Sequence, residues 1–160
     1  MRIALVVVLA ALLPAVAAAG IFVPGKNKPA PALAGVDPVT GKKVSLAQWS
    51  GKPLLVNLYG SWCNPCRDEA KELRAFLARH PRTVLGIDVE DSKAGAKGFQ
   101  RRFAVHFPTI YDPGDVLVNR LHAPGTPTTY FLDRKHRIVA ALYGAGTLKL
   151  FERGWKLATS

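Results

Sequence analysis

Two cysteines three residues apart constrain this chain more than any other feature of its sequence. They are the only cysteines in 160 residues and stand as Cys63-Asn64-Pro65-Cys66. Directly before them runs Leu54-Leu55-Val56-Asn57-Leu58-Tyr59. An almost unbroken apolar run of this length reads as a strand buried on both faces. From about Asn64 to His80 the pattern reads as a helix that stops before Pro81, with Pro65 in its first turn, where a missing N–H is harmless. The pair therefore lies at a strand–loop–helix junction. Cys63 precedes the first turn, where unpaired N–H groups and the helix dipole favour an anion. The thiolate is the attacking species in thiol–disulfide exchange. Cys63 is thus expected to attack, with its pKa below the free value. Cys66, further inside the helix, is expected to resolve the mixed disulfide. Trp62 would supply an apolar rim on which a partner docks.

Competing uses of the pair are weaker. A disulfide closing so short a loop stabilises little. A four-cysteine zinc site is impossible, and His80, His106, His122 and His136 lack the spacing of a finger. No metal site is expected, and no cofactor beyond a redox-active Cys63–Cys66 disulfide. At 3.6 residues per turn, Cys66, Ala70, Leu73, Phe76 and Leu77 share one helix face. Glu69 falls on that face too. If buried, its pKa would rise and it could exchange protons with Cys66. A Glu at the edge of the stripe reaching water, or a first-turn acid favoured by the dipole, are the alternatives. Pro127, in Gly125-Thr126-Pro127-Thr128-Thr129, opens an apolar strand. Its neighbour Gly125 suggests a close backbone approach. Only about 5–6% of X–Pro bonds are cis, so the residues alone do not make this one cis.

The remaining chain supplies a frame. Val36 to Val44 reads as a small hairpin with turn chemistry at Asp37-Pro38 and Thr40-Gly41, and Ser45 as the cap of a short helical turn through Trp49. Thr83–Val89 reads as a strand and Lys93–Phe103 as a helix, giving a βαβ unit with parallel strands. Phe107–Tyr111 reads as a short extended piece and Gly114–Leu121 as one or two helical turns. Thr128–Leu132 and Arg137–Tyr143, joined by Asp133-Arg134-Lys135-His136, read as an antiparallel hairpin. Leu148–Leu157 reads as a closing helix. The fold class is α/β, a mixed central sheet with helices on both faces and a small N-terminal hairpin extension.

Residues 1–25 read as a signal peptide or membrane anchor. Arg2 is followed by no charge until Lys26, and Ile3–Val23 is apolar except for Pro14 and Gly20. Ala15-Val16-Ala17 and Ala17-Ala18-Ala19 fit small-residue cleavage sites. Arg2 before the run places the rest of the chain outside the membrane, in an oxidising compartment. Residues 26–34, rich in Pro, Lys and Ala, read as a linker, and 35–160 as the folded domain. The formal net charge is +11, but the basic residues are scattered in short clusters without interleaved aromatics. A solvated basic surface is the reading, with no nucleic-acid partner. A monomer is expected.

Two stretches resemble a known family. Val56-Asn57-Leu58-Tyr59-Gly60-Ser61-Trp62-Cys63-Asn64-Pro65-Cys66-Arg67 is similar to the active-site stretch of TlpA/ResA-like thioredoxin-fold proteins, and Gly125-Thr126-Pro127-Thr128-Thr129-Tyr130-Phe131-Leu132-Asp133 to their second motif. Lys28-Pro29-Ala30-Pro31-Ala32 resembles their lead-in. The resemblance implies a thioredoxin-like fold and a cis Pro127 packed against the disulfide, with Thr126 offering backbone hydrogen bonds to the partner. It places Asn57 where cytosolic thioredoxins keep a buried acid, and an acid like Glu69 on the helix. Thr128 stands where the cytochrome-maturation branch often has an acid. The implied function is a protein thiol–disulfide oxidoreductase outside the cytoplasmic membrane, more often a reductant than an oxidant. Its implied partners are a membrane dithiol donor and a disulfide-bearing substrate such as apocytochrome c. The alternatives are a disulfide-donating oxidant and a non-catalytic binding or assembly module. A peroxidase lacks support, because Gly60 and not Thr lies three residues before Cys63.

Overall fold

A computed structural model describes residues 20–160. The expectation of a signal or anchor at 1–25 falls mostly outside them. No helix among the described residues is long and apolar enough to cross a membrane.

The strands are β1 (Ile21–Pro29), β2 (Ala34–Val36), β3 (Lys43–Ser45), β4 (Leu54–Tyr59), β5 (Val84–Val89), β6 (Thr109–Asp112), β7 (Thr128–Leu132) and β8 (Arg137–Tyr143). The helices are α1 (Asn64–Arg79), α2 (Lys93–Phe103), α3 (Val116–Leu121) and α4 (Leu148–Thr159), with a single 3-10 turn at Leu46–Trp49. Six strands form one mixed sheet in the order β1-β8-β7-β4-β5-β6, and β2 and β3 pair separately as the expected hairpin. β4, β5 and β6 run parallel, while β7, β8 and β1 join antiparallel. β4 and β5 are buried at every residue, as continuous apolar runs in a covered parallel sheet must be.

Side-chain alternation divides the core in two. Leu55, Tyr59 and Val84 face α1, α2 and α4, where they meet Leu73, Phe76, Phe99 and Phe151. Val56, Leu58, Leu85 and Ile87 face the other way, onto Trp49, Leu117 and Leu121. The active-site junction lies on the first side, at the C-terminal end of β4.

One expected boundary differs. The residues read as the end of the export segment and as a linker form β1, which pairs with β8 from Ile21↔Tyr143 to Pro29↔Arg137. The register breaks between Pro24 and Lys28. The reason lies in what edge strands tolerate. Pro cannot donate to a second neighbour, and Lys discourages further pairing, so a composition typical of a linker is also typical of a protected edge.

Candidate active site

The chain turns from β4 into α1 over Gly60-Ser61-Trp62. Trp62 folds back so that its indole Nε1 donates to the Val89 carbonyl at 3.1 Å, while the ring remains 49% exposed. This needs glycine at 60, since a Cβ there would lie 2.6 Å from that Nε1. Ser61 is held by Asp91: its N–H donates to Oδ2 at 2.6 Å and its hydroxyl to Oδ1 at 3.0 Å.

Cys63 is the N-cap of α1, and Pro65 sits in the first turn. Cys63 and Cys66 form a disulfide. The backbone N–H of Cys66 donates to Cys63 Sγ at 3.2 Å, so an otherwise orphaned helix donor points at the first sulfur. In the reduced protein the same donor would favour a thiolate there. Both cysteines are buried, Cys66 completely.

Glu69 is buried on the stripe of α1 with Cys66, Ala70, Leu73 and Phe76; the structure has the buried arrangement and not the water-facing one. Leu77, expected on the same face, is only partly buried. Asn57 Nδ2 donates to Glu69 Oε1 at 2.9 Å, and the Gly146 N–H donates to Oε2 at 2.7 Å. Asn57 Nδ2 also donates to Thr129 Oγ1 at 3.0 Å. The carboxyl thus joins α1, β4, β7 and the β8–α4 turn. Burial pushes its pKa up to about 7, and the bonds from Gly146 and Asn57 limit the rise. A proton held near neutral pH one helical turn from Cys66 suits a donor or acceptor in exchange.

The Thr126–Pro127 bond is cis, as the resemblance implied. Thr128 Oγ1 donates to the Gly125 carbonyl at 2.7 Å, and the Gly144 N–H to the Pro127 carbonyl at 2.9 Å, which ties the loop to the start of β7 and the end of β8.

Sequence reading missed a second buried acid. Asp88, opposite Tyr59 in the β4–β5 register, is fully buried, and neither of its oxygens has a hydrogen-bond partner among the described residues. Burial, then the adjacent Asp91, push its pKa up to about 8. An acid inside an otherwise apolar strand was the available signal. Among the described residues no cluster of His, Cys, Asp and Glu could hold a metal ion.

The AhpC/TSA family matches residues 26–141. Thiol-disulfide oxidoreductase ResA of Bacillus cereus is 23% identical over 120 residues, 73% of this chain and 69% of that protein. ResA of Geobacillus kaustophilus is 28% identical over 116 residues, 71% of this chain and 67% of that protein. Among solved structures, a DsbF homologue from Corynebacterium diphtheriae superposes with a TM-score of 0.77 at 30% identity, covering 90% of this chain and 95% of that one. A secreted thiol-disulfide isomerase from Corynebacterium glutamicum superposes with a TM-score of 0.72 at 28% identity, covering 80% and 84%.

Proposed function

The chain belongs to the AhpC/TSA family and is a thioredoxin-fold thiol–disulfide oxidoreductase, and from that premise we propose that it works outside the cytoplasmic membrane as a reductant of protein disulfides. The observation that carries the exchange chemistry is the Cys63–Cys66 pair at the start of α1, with the Cys66 N–H on Cys63 Sγ; the reducing direction rests on the family resemblance. Trp62, next to Cys63 in the chain, is half exposed, and the Thr126–Pro127 loop leads into β7, whose Thr128 pairs with Leu58 of β4.

In the proposed cycle a membrane dithiol donor reduces the pair. Cys63 thiolate then attacks a substrate disulfide, forming one S–S bond and releasing one substrate thiolate, which takes up a proton. Cys66 attacks Cys63 Sγ, re-forms the internal disulfide and releases the second substrate thiol. Glu69 accepts the Cys66 proton in that last step. Trp62 and the Thr126 backbone hold the substrate. Apocytochrome c before haem attachment is a substrate of the right chemistry. The apolar run at 3–23 and the secreted relative support export.

One observation favours the opposite direction. A donor that stabilises the Cys63 thiolate stabilises the reduced protein, and a stabilised dithiol is the mark of an oxidant. Titration against glutathione decides: a potential at or below the glutathione range supports the reductant, and one well above it supports the oxidant. A Cys66→Ser variant should accumulate mixed disulfides through Cys63. A Cys63→Ser variant with full function in cells would leave only a binding module.

A further inference from the structure

Between α1 and α2, beside the active-site loop, lies a groove of about 360 Å³ lined by Ser61, Arg67, Gly95, Gly98, Arg101 and Arg102. Three of these residues are cationic and none is acidic. Among the described residues the ion pairs are Lys71–Glu72, Arg79–Glu152 and His80–Glu152, and none involves the groove.

The groove is built onto the redox motif. Ser61 lies two residues before Cys63, and Arg67 follows Cys66 directly. Arg67 Nε donates to the Ser61 carbonyl at 2.8 Å and Nη1 to Asn64 Oδ1 at 3.2 Å, so one wall is the motif's own flank. The other wall is α2, held against the loop by the Asp91–Ser61 bonds. It comes so close that a Cβ at Gly95 would collide with the Asp91 carboxylate and lie 2.5 Å from Ser61 Oγ. Further along α2 the space opens, and a Cβ at Gly98 would meet nothing within 4 Å. At the rim the Arg102 guanidinium lies 5.7 Å from the Phe103 ring centroid, within cation–π range.

We propose that this groove docks an acidic stretch of the substrate polypeptide, next to the disulfide that Cys63 attacks. The inference rests on the exchange reading above and names its partner class. Arginine forks pair with carboxylates in a fixed geometry. The formal net charge of +11 draws acidic partners from a distance, and the groove gives them a register on the motif. Contacts this exposed act mainly on encounter and weaken as salt screens them.

The test compares two peptides of equal length, each closed by one disulfide. One carries aspartates beside it and the other lysines. Rates of reduction by the reduced protein are read by mass spectrometry after acid quench, normalised to the rate with neutral hydroxyethyl disulfide. The acidic peptide should react about tenfold faster in low salt, the sum expected from a few exposed ion pairs, and the gap should close near 0.5 M salt. The Arg101→Glu/Arg102→Glu variant should lose the preference. Arg134→Glu/Lys135→Glu, with the same charge change on the β7–β8 turn, should keep it. Gly98→Leu, which fills the groove without altering charge, should slow only the acidic peptide. Equal rates for the two peptides, or equal loss in both charge variants, would overturn the groove. If the wild type does not reduce hydroxyethyl disulfide, the exchange reading fails first and the groove's role with it.

Discussion

Glu69 and Asp88 are both carboxyls buried on the α1 side of the sheet, and their surroundings differ. Glu69 projects from α1 onto β4, where the Asn57 amide and the Gly146 N–H each supply a donor. Asp88 projects from β5 beside Tyr59, finds no donor among the described residues, and has another acid, Asp91, as its neighbour. The Asp91 oxygens are already taken by Ser61 and by the Ser92 N–H. Burial raises both pKa values; hydrogen bonds hold one to about 7, while a second acid helps lift the other to about 8. A helix lying over a sheet can bring a carboxyl to donors from distant parts of the chain. A strand residue must accept what its own end of the sheet provides. Glu69 is therefore set near neutral pH, and Asp88 somewhat above it.

The comparison is broken most forcefully by removing the satisfied acid. Glu69→Leu leaves the Gly146 N–H unpaired and takes one partner from Asn57, and should cost about 2–4 kcal/mol of unfolding free energy in urea at pH 7. A loss below ~0.5 kcal/mol would mean that the bonds to Glu69 do not hold the site together.

The next effect is linkage. Glu69 has a folded pKa above its ordinary value, so its stabilising share is full below about pH 4.5 and is lost as pH rises through about 7. That interval corresponds to about 3 kcal/mol. Glu69→Gln should therefore gain on the wild type between pH 4.5 and 7.5 in thermal unfolding. Parallel pH curves for the two proteins would contradict a raised Glu69 pKa.

Asp88→Asn should act in the same direction as Glu69→Gln. It keeps the shape and cannot ionise, so its advantage over the wild type should be larger at pH 9 than at pH 6, because the wild type keeps losing stability until the pH passes about 8. Destabilisation at both pH values would show that the protonated Asp88 makes a bond that Asn cannot replace.

The smallest effect expected is kinetic. Asp91→Asn keeps one acceptor for Ser61 and removes the charge beside Asp88. Exchange should slow by only about two- to fivefold, and the basic arm of its pH profile should change shape. An unaltered profile would separate Asp88 and Asp91 from the loop's behaviour at high pH.

What the sequence made legible follows the range of the interactions involved. The strand at 54–59, the helix after it and the face shared by Cys66 and Glu69 depend on local periodicity, and the structure has them at the expected residues. Burial of Glu69 was one of three open readings, because its donors lie far away: Gly146 is 77 residues on, and Asn57 lies across the β4–α1 junction. Trp62 is about half exposed, and its bond to Val89 depends on β5 ending where it does. β1 was hidden because an edge strand and a linker share the same Pro- and Lys-rich composition. Asp88 passed as an ordinary strand residue because periodicity places it inside but does not name its neighbours.

The central claim is that the start of α1 keeps the Cys63 sulfur as a reactive anion and its partner in reserve. Alkylation of the reduced protein across pH 4–9, with each labelled cysteine identified by peptide mass, tests it directly. The account predicts that Cys63 is labelled first, with a midpoint clearly below the ~8.5 of free cysteine. Labelling of Cys66 first, or a Cys63 midpoint at or above that of free cysteine, would contradict it.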